Sequence, residues 1–244
     1  MNAPHPVTDA QAVRARMCAR ASACFRKADR FAFHFARHKL AADPLFTDVL
    51  LSGALRGRRQ LVDLGCGQGL LSAWLLAAQS QRAEGPWPAG WPEPPAFERT
   101  RGVDLRAASI RRARAALGDH ADFQVQDMRA ADLNGADAVV ILDVLHFIDY
   151  AEQQLLLERI RRSLPAGGVL VLRIANAGAA LSYHLARLID RMNDLVRDRR
   201  VFRFSCRSAQ EWLQLLRHCG FDARALPRSS GSSFANTLLI ARAP

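Results

Sequence analysis

The sequence predicts an α/β fold that is doubly wound: a mostly parallel seven-stranded sheet with an antiparallel last strand, plus N-terminal helices. Three observations predict this fold. Short apolar runs alternate with amphipathic helical patterns from residue 60 onward, which is typical of a parallel sheet with helices on both faces. A glycine-rich turn joins the first of these runs to a helix. The last two runs are joined by a short Ser/Gly-rich segment, which favours a hairpin and therefore antiparallel strands.

The elements follow in a regular order along the chain. Residues 8–56 have a helical pattern rich in phenylalanine, and Asp43-Pro44 marks a helix start because proline suits the first turn. Strands are expected at 60–64, 99–105, 121–127, 136–143, 169–175, 221–226 and 233–243. Helices are expected at 70–79, up to about Leu117, and at 151–164, 179–197 and 208–219; Trp74 and Trp212 lie within two of these patterns and are predicted to be buried.

Length and composition indicate one integrated domain. The chain has 244 residues, half of them apolar and 23% charged, so it can bury a sizeable core like an ordinary globular protein. We divide it into an N-terminal helical cap or lid at 1–57 and a core at 58–244. The core carries a proline-rich loop insertion at 85–95, with five of the eleven prolines, and a second insertion at 176–206.

The charge of +11 raises the question of a nucleic-acid partner, because clustered basic residues bind phosphates. The excess is almost all arginine and is spread from Arg14 to Arg242, without an aromatic-studded basic stripe. We therefore attribute it to compositional bias and disfavour nucleic acid; attraction of an acidic carrier protein, an anionic substrate or a membrane face is the second interpretation.

Cysteine usage and hydropathy predict the compartment. The five cysteines show no C-x-x-C spacing, so neither a disulfide framework nor a metal site is indicated. The first residues contain no apolar signal segment, and no run of 18 apolar residues occurs. We expect a cytoplasmic protein without a membrane span and without a metal ion.

The glycine-rich turn is the most informative segment. Residues 62–69 read VDLGCGQG, and only glycine permits the close approach of a ligand to the backbone and the positive φ angles that such a turn involves. A nicotinamide-binding turn would need a third glycine where Leu70 stands, and no Gly-Lys-Ser/Thr phosphate loop follows. Asp63 would repel a pyrophosphate but suits a ligand that carries an ammonium group.

This segment resembles the first motif of the class I S-adenosylmethionine-dependent methyltransferases, and the resemblance extends in motif order over residues 61–173. It implies a fold of the kind predicted above and S-adenosylmethionine (SAM) as cofactor, with S-adenosylhomocysteine (SAH) as product. It also implies that the turn lines the methionine and ribose of the cofactor, with Asp63 near its amino group; the residues carried over to this turn are Asp63, Leu64, Gly65, Cys66, Gly67 and Gly69.

The ends of the next two strands supply further positions implied by the resemblance. Asp104 would accept hydrogen bonds from the ribose hydroxyls, as acids at this strand end do in dinucleotide enzymes, and Leu105 would lie against the adenine. About 40 residues separate Asp63 from Asp104 instead of the usual interval of about 20, and the proline-rich insertion accounts for the difference. Asp127 would accept from the adenine amino group and the Met128 amide would contact the ring.

The turn after the fourth strand, Asp143 to His146, would lie beside the transferred methyl group. Asp143 is assigned to the cofactor site. His146 is either a general base or a residue that caps or packs the turn. Arg37 is a candidate partner for the cofactor carboxylate, although this position also suits a solvated helix face, as does Lys39.

The predicted function is in-line methyl transfer from SAM to a small molecule, without a metal ion or a covalent enzyme intermediate. The first choice of acceptor atom is the oxygen, or an activated carbon, of a phenolic, polyketide-like or lipid-like substrate that a carrier protein could present. The family commonly covers this site with its N-terminal helices and with the insertion at 176–206, so that substrate-facing roles and ordinary packing are both open for His34, His38, Tyr183 and His184. The alternatives are an RNA or protein methyltransferase and a catalytically inactive binding module of the same fold.

Overall fold

A computed structural model of the chain describes residues 6–175, 205–226 and 236–244. Within these ranges the strands are β1 (Gln60–Leu64), β2 (Arg99–Asp104), β3 (Asp122–Val125), β4 (Ala138–Leu142), β5 (Val169–Ala175), β6 (Asp222–Ala225) and β7 (Asn236–Arg242). The helices are α1 (Pro6–Ala23), α2 (Arg30–Ala42), α3 (Leu45–Leu51), α4 (Leu70–Glu84), α5 (Ala107–Leu117), α6 (Tyr150–Ser163) and α7 (Ala209–His218). The helix predicted at 179–197, the link between the last two strands, Tyr183 and His184 lie outside the described residues.

The strands form one sheet in the order β3-β2-β1-β4-β5-β7-β6. The first five strands pair in parallel, whereas β7 pairs antiparallel with both β5 and β6. The predicted fold class is therefore confirmed, including the antiparallel last strand and the N-terminal helices. The strand order reverses between β1 and β4, and in open α/β sheets this is where ligands bind, outside the carboxyl ends of the strands.

Both faces of the sheet are covered by helices. Val140 and Val171 point into a core that contains α1 to α5, while Val139 and Leu170 point into a second core with α6 and α7. Because alternate side chains of a strand point to opposite faces, strands buried on both sides must be largely apolar, as β4 and β5 are. The two helical tryptophans predicted to be buried, Trp74 and Trp212, are buried.

The N-terminal helices share the hydrophobic core of α4 and α5. Val13 and Met17 of α1 belong to the same cluster as Trp74 of α4. Between Glu84 and Arg99 the described chain forms neither helix nor strand. Among the described residues, no helix combines the length and hydropathy needed to cross a bilayer.

Candidate active site

The glycine-rich turn between β1 and α4 is held by backbone hydrogen bonds. The amides of Gly65 and Cys66 both donate to the carbonyl oxygen of Val103 in β2, at 2.8 and 2.9 Å. Gly65, Gly67 and Gly69 have φ values of +81°, +56° and +82°, a region that other residues rarely adopt. The expected need for glycine at these three positions follows directly from the backbone.

The three glycines differ in what surrounds them. A Cβ atom on Gly65 would stand 2.7 Å from both methyl carbons of Val144, and one on Gly69 would stand 2.8 Å from a methyl carbon of Leu117. A Cβ on Gly67 would find only the Arg106 side chain within 4 Å, at 3.8 Å. Gly65 and Gly69 thus permit close packing, whereas Gly67 leaves its backbone open to the crevice.

Two carboxylates lie next to this turn. Asp63 in β1 is 2% exposed, and burial, with the nearby charge of Asp104, raises its pKa to about 7. Asp104, the last residue of β2, accepts from the Gly67 amide at 3.0 Å and from the Arg106 amide at 2.8 Å. Both acids are therefore fixed at the carboxyl edge where the strand order reverses, and a cation would stabilise Asp63.

The other residues predicted to contact the adenine lie further along this edge. Leu105 is 68% exposed, an unusual state for a large apolar side chain next to a buried strand. Asp127 follows β3, and its carboxylate accepts from both the backbone and the guanidinium of Arg129; the hydrogen bond from the Arg129 side chain is the main reason why its pKa lies below the ordinary value. Met128 is half-buried, and its carbonyl oxygen accepts from Arg159.

The turn after β4 packs against the glycine-rich turn through Val144. Asp143 has a φ of +59° and is the only non-glycine residue of the described chain with a positive value. Its Oδ1 atom lies 3.1 Å from Nε of Arg173, and burial raises the pKa of this carboxyl despite that cation. Strained residues of this kind cluster at functional sites.

His146 lies in a short helical turn at 145–147 and is buried. Burial lowers its pKa to about 4, so the imidazole is neutral at neutral pH and has a low affinity for a proton. The centroid of its ring lies 4.2 Å from that of Phe147, and the backbone carbonyl oxygen of His146 accepts a hydrogen bond from the Ser205 amide. His146, together with Arg173 and Cys206, lines a small cavity.

The predicted cationic candidates of α2 occupy different environments. Arg37, His34 and His38 are exposed on this helix. Lys39 is half-buried, and its Nζ atom lies 2.6 Å from Oδ2 of Asp43. The structure thus places Lys39 in a charged cluster and Arg37 at the surface.

Sequence reasoning missed two residues that hold these parts together. Gln68 is buried and donates to the carbonyl oxygen of Ala32, which ties α2 to the glycine-rich turn. Arg173 of β5 is buried and binds both carboxylate oxygens of Asp43, at 2.7 and 2.6 Å. One signal was available: an arginine inside the apolar run VLVLRIA needs a buried partner, because charged side chains are rarely buried unpaired.

Comparisons with known proteins agree with this architecture. Residues 62–170 match a family model described as a methyltransferase domain. A curated relative, the carboxy-S-adenosyl-L-methionine synthase of Chromohalobacter salexigens, is 34% identical over 123 residues, which are 48% of this chain. The matched segment spans 40% of the length of that relative.

Solved structures show the same fold at low sequence identity. An O-methyltransferase family protein from Burkholderia thailandensis has a TM-score of 0.57 at 18% identity, covering 89% of this chain and 61% of its own. Magnesium protoporphyrin IX methyltransferase from Synechocystis PCC 6803 with bound SAH has a TM-score of 0.53 at 19% identity, covering 88% and 89%. The complex of DhpI with SAH has a TM-score of 0.59 at 17% identity, covering 93% and 97%.

Proposed function

We propose that the chain is a class I methyltransferase that binds SAM and transfers its methyl group to a small-molecule acceptor; the match of residues 62–170 to a methyltransferase-domain model supports this assignment. The observation that carries the proposal is the pairing of a solvent-open glycine with two fixed carboxylates at the sheet's switch point. Gly67, Asp63 and Asp104 supply this pairing.

The residues present fit the cofactor on chemical grounds. Asp63 is a buried carboxylate with a pKa raised to about 7, so a ligand ammonium group would stabilise its charged form. Oδ2 of Asp104 accepts one hydrogen bond, from the Gly67 amide, and has a second lone pair for a ribose hydroxyl, whereas Oδ1 accepts from both the amide and the guanidinium of Arg106. Leu105, being exposed, offers apolar surface to a nucleobase.

When bound, SAM would supply an electrophilic methyl group on a sulfonium, so the hard chemistry belongs to the cofactor. The chain's own residues would hold and orient it. Asp63 would bind the amino group, Asp104 the ribose, Asp127 and Met128 the adenine, and the backbone of residues 64–69 the methionine part. Asp143 and Val144 would line the side where the acceptor enters and would exclude water from it.

The acceptor we propose is the oxygen, or an activated carbon, of a phenolic, polyketide-like or lipid-like molecule. Two observations support an apolar aromatic class. Phe31 and Phe35 are exposed and stacked on α2, with 6.0 Å between their ring centroids, and two neighbours of similar fold are an O-methyltransferase family protein and a magnesium protoporphyrin IX methyltransferase. His146 would be a weak base with its pKa near 4, so we propose that it packs the turn and that the acceptor loses its proton elsewhere.

Calorimetry with SAH tests the proposal, and a matched pair of glycine variants makes it specific. Gly67→Ala would place a methyl group in the crevice, whereas Gly57→Ala imposes similar strain, at a φ of +72°, where no atom lies within 4 Å. We expect SAH binding by the unmodified protein, a Kd raised at least about tenfold by Gly67→Ala, and little change with Gly57→Ala. Equal effects of the two variants, or no SAH binding by the unmodified protein, would overturn the assignment.

A second ligand separates the roles of the two acids. 5′-Methylthioadenosine keeps the nucleoside of SAH but lacks its ammonium and carboxylate groups. Asp63→Asn should therefore weaken the binding of SAH and leave the affinity for methylthioadenosine unchanged.

Turnover is then measured on a panel of phenolic acceptors and, separately, on RNA at two salt concentrations, because phosphate contacts would make RNA binding steeply salt-dependent.

A further inference from the structure

Four charged side chains from three separate segments meet beside the carboxyl ends of β4 and β5. Lys39 and Asp43 come from the end of α2, Asp143 follows β4, and Arg173 lies in β5. Nη1 of Arg173 binds both Asp43 oxygens at 2.7 and 2.6 Å, while its Nε lies 3.1 Å from Oδ1 of Asp143. One guanidinium thus bridges a carboxylate of the N-terminal helices and a carboxylate of the candidate active site.

The Arg173–Asp43 half of this bridge is almost completely buried, whereas the side chain of Asp143 is 33% exposed. The side chains of Arg173 and Asp43 are 7% and 6% exposed. Burial disfavours the charged form of Asp43, but Arg173 and Lys39 outweigh it and hold its pKa below the ordinary value. Removing one partner of a buried ion pair is strongly destabilising because the other charge is left uncompensated. The cluster is therefore a rigid support and not a surface ion pair.

The support acts on a strained turn. Asp143 holds a φ of +59°, in the left-handed region that favours glycine and strains other residues. The next residue, Val144, packs so closely on Gly65 that a Cβ there would stand 2.7 Å from its methyl carbons. If the Asp143 carboxylate left Arg173, the backbone could relax and Val144 would move away from the glycine-rich turn.

We propose that Arg173 is a positioning residue for the cofactor site: it holds the Asp143–Val144 turn against the glycine-rich turn, and Asp43 at the end of α2 fixes Arg173 in turn. This inference rests on the proposed function, because it assigns the turn to a cofactor site. Arg173 touches neither cofactor nor acceptor in this role; it acts through Asp143.

The first turns of α2 also contact the candidate active site, so that both ends of this helix are connected to it. Asp29 caps α2 and binds Nε of Arg112 in α5 at 2.7 Å. Gln68, within the glycine-rich turn, donates to Ala32 in the first turns of α2 at 3.0 Å. The helix is therefore anchored at one end to the glycine-rich turn and at the other, through Asp43 and Arg173, to the turn after β4.

The test measures the affinity for SAH by calorimetry in Arg173→Gln and Asp43→Asn, with Arg101→Gln as the matched control. Arg101 is equally buried in β2 and pairs with Asp132, but it does not contact either turn. We expect Arg173→Gln and Asp43→Asn to raise the Kd for SAH at least about tenfold, and Arg101→Gln, whose partner Asp132 is exposed, to change it less than about twofold. Equal changes in Kd for the Arg173 and Arg101 variants would overturn the proposal.

A double-mutant cycle separates positioning from general loss of structure. Asp143→Asn removes the charge that needs a cation, so Arg173→Gln should have little further effect on the Kd in that background. If Arg173→Gln weakens SAH as much in the Asp143→Asn protein as in the unmodified one, the proposal is wrong. Should Arg173→Gln fail to fold by circular dichroism, Asp43→Asn and Arg173→Lys carry the same comparison, since lysine lacks the fork that reaches both carboxylates.

The pH dependence of the affinity gives a readout that a structural role would not change. The charged groups that act on Asp143 are Arg173 from β5 and Lys39 and Asp43 from α2. Without Arg173, Asp143 would be neutral and in place at low pH and would ionise without its main cation as the pH rises. The affinity of Arg173→Gln for SAH should therefore gain a component that falls with rising pH, and Asp143→Asn should abolish it. A wild-type protein that does not bind SAH at any pH would instead refute the proposed function itself.

Discussion

Replacing Asp63 with asparagine should stabilise the ligand-free protein at alkaline pH while weakening its binding of SAH. Burial raises the pKa of this carboxyl from 3.8 to about 7. The folded state therefore keeps a proton that the unfolded chain has released between these values, so stability is highest below pH 3.8 and falls as the pH rises to about 7. The difference in pKa corresponds to a cost of about 4 kcal/mol for the charged form above pH 7. An uncharged isostere escapes this cost.

Urea denaturation of both proteins at pH 5 and pH 8 measures the effect. We expect the advantage of Asp63→Asn in free energy of unfolding to grow by about 2–3 kcal/mol between these pH values. Asp43→Asn is a control of opposite sign, because the pKa of Asp43 lies below its ordinary value and its carboxylate stabilises the fold above that range. A stability difference between Asp63→Asn and the wild type that does not change with pH would refute the reasoning.

Three further predictions follow from the same contacts. Asp104→Asn should weaken SAH and methylthioadenosine alike by about tenfold, since both carry the ribose; a loss confined to SAH would contradict this role. Gly69→Ala should lower the free energy of unfolding by about 2–4 kcal/mol, because its Cβ would stand 2.8 Å from Leu117 at a φ of +82°, and a loss near zero in urea denaturation would count against it. Burial lowers the pKa of His146 to about 4, so the wild type should lose up to about 3 kcal/mol of stability relative to His146→Gln as the pH falls from 6.5 to 4; parallel stability curves would disprove the burial effect.

The fold was predictable because its signals are local and periodic. An apolar run such as QLVDL, followed by glycines and a helical pattern, specifies a βα unit without reference to the rest of the chain. Helix ends were equally legible: Gly118 ends α5, and α7 begins at Ser208 with a capping box to Glu211. Strand ends were less accurate, since the third strand stops at Val125, two residues before the prediction. The ends of strands are harder to predict because the last backbone pairs depend on the neighbouring strand, which the sequence alone does not reveal.

Some residues of the candidate site could likewise be predicted from the sequence, and others could not. Acids at the ends of β1 and β2 could be found by position, because parallel strands bring their carboxyl ends to one edge. The Arg173–Asp43 pair could not, because the two residues are 130 positions apart and their meeting depends on how α2 lies on the sheet. The left-handed conformation of Asp143 was equally hidden, since aspartate is compatible with several turns and only its surroundings select one. Residue roles toward SAM remain predictions that the binding experiments address.

Two features of the site are energetically costly. Asp63 carries an electrostatic cost of about 4 kcal/mol when ionised, and Asp143 a backbone cost of about 1–3 kcal/mol. Arg173 lies within ion-pair distance of the Asp143 carboxylate, whereas none of the ion pairs among the described residues involves Asp63. A cationic ligand would offset the cost of ionising Asp63, so that part of its binding free energy would come from stabilising the charged form of this carboxyl. Binding should accordingly release a proton below pH 7, and calorimetry in buffers of different ionisation enthalpy should detect that proton with the wild type and lose it with Asp63→Asn.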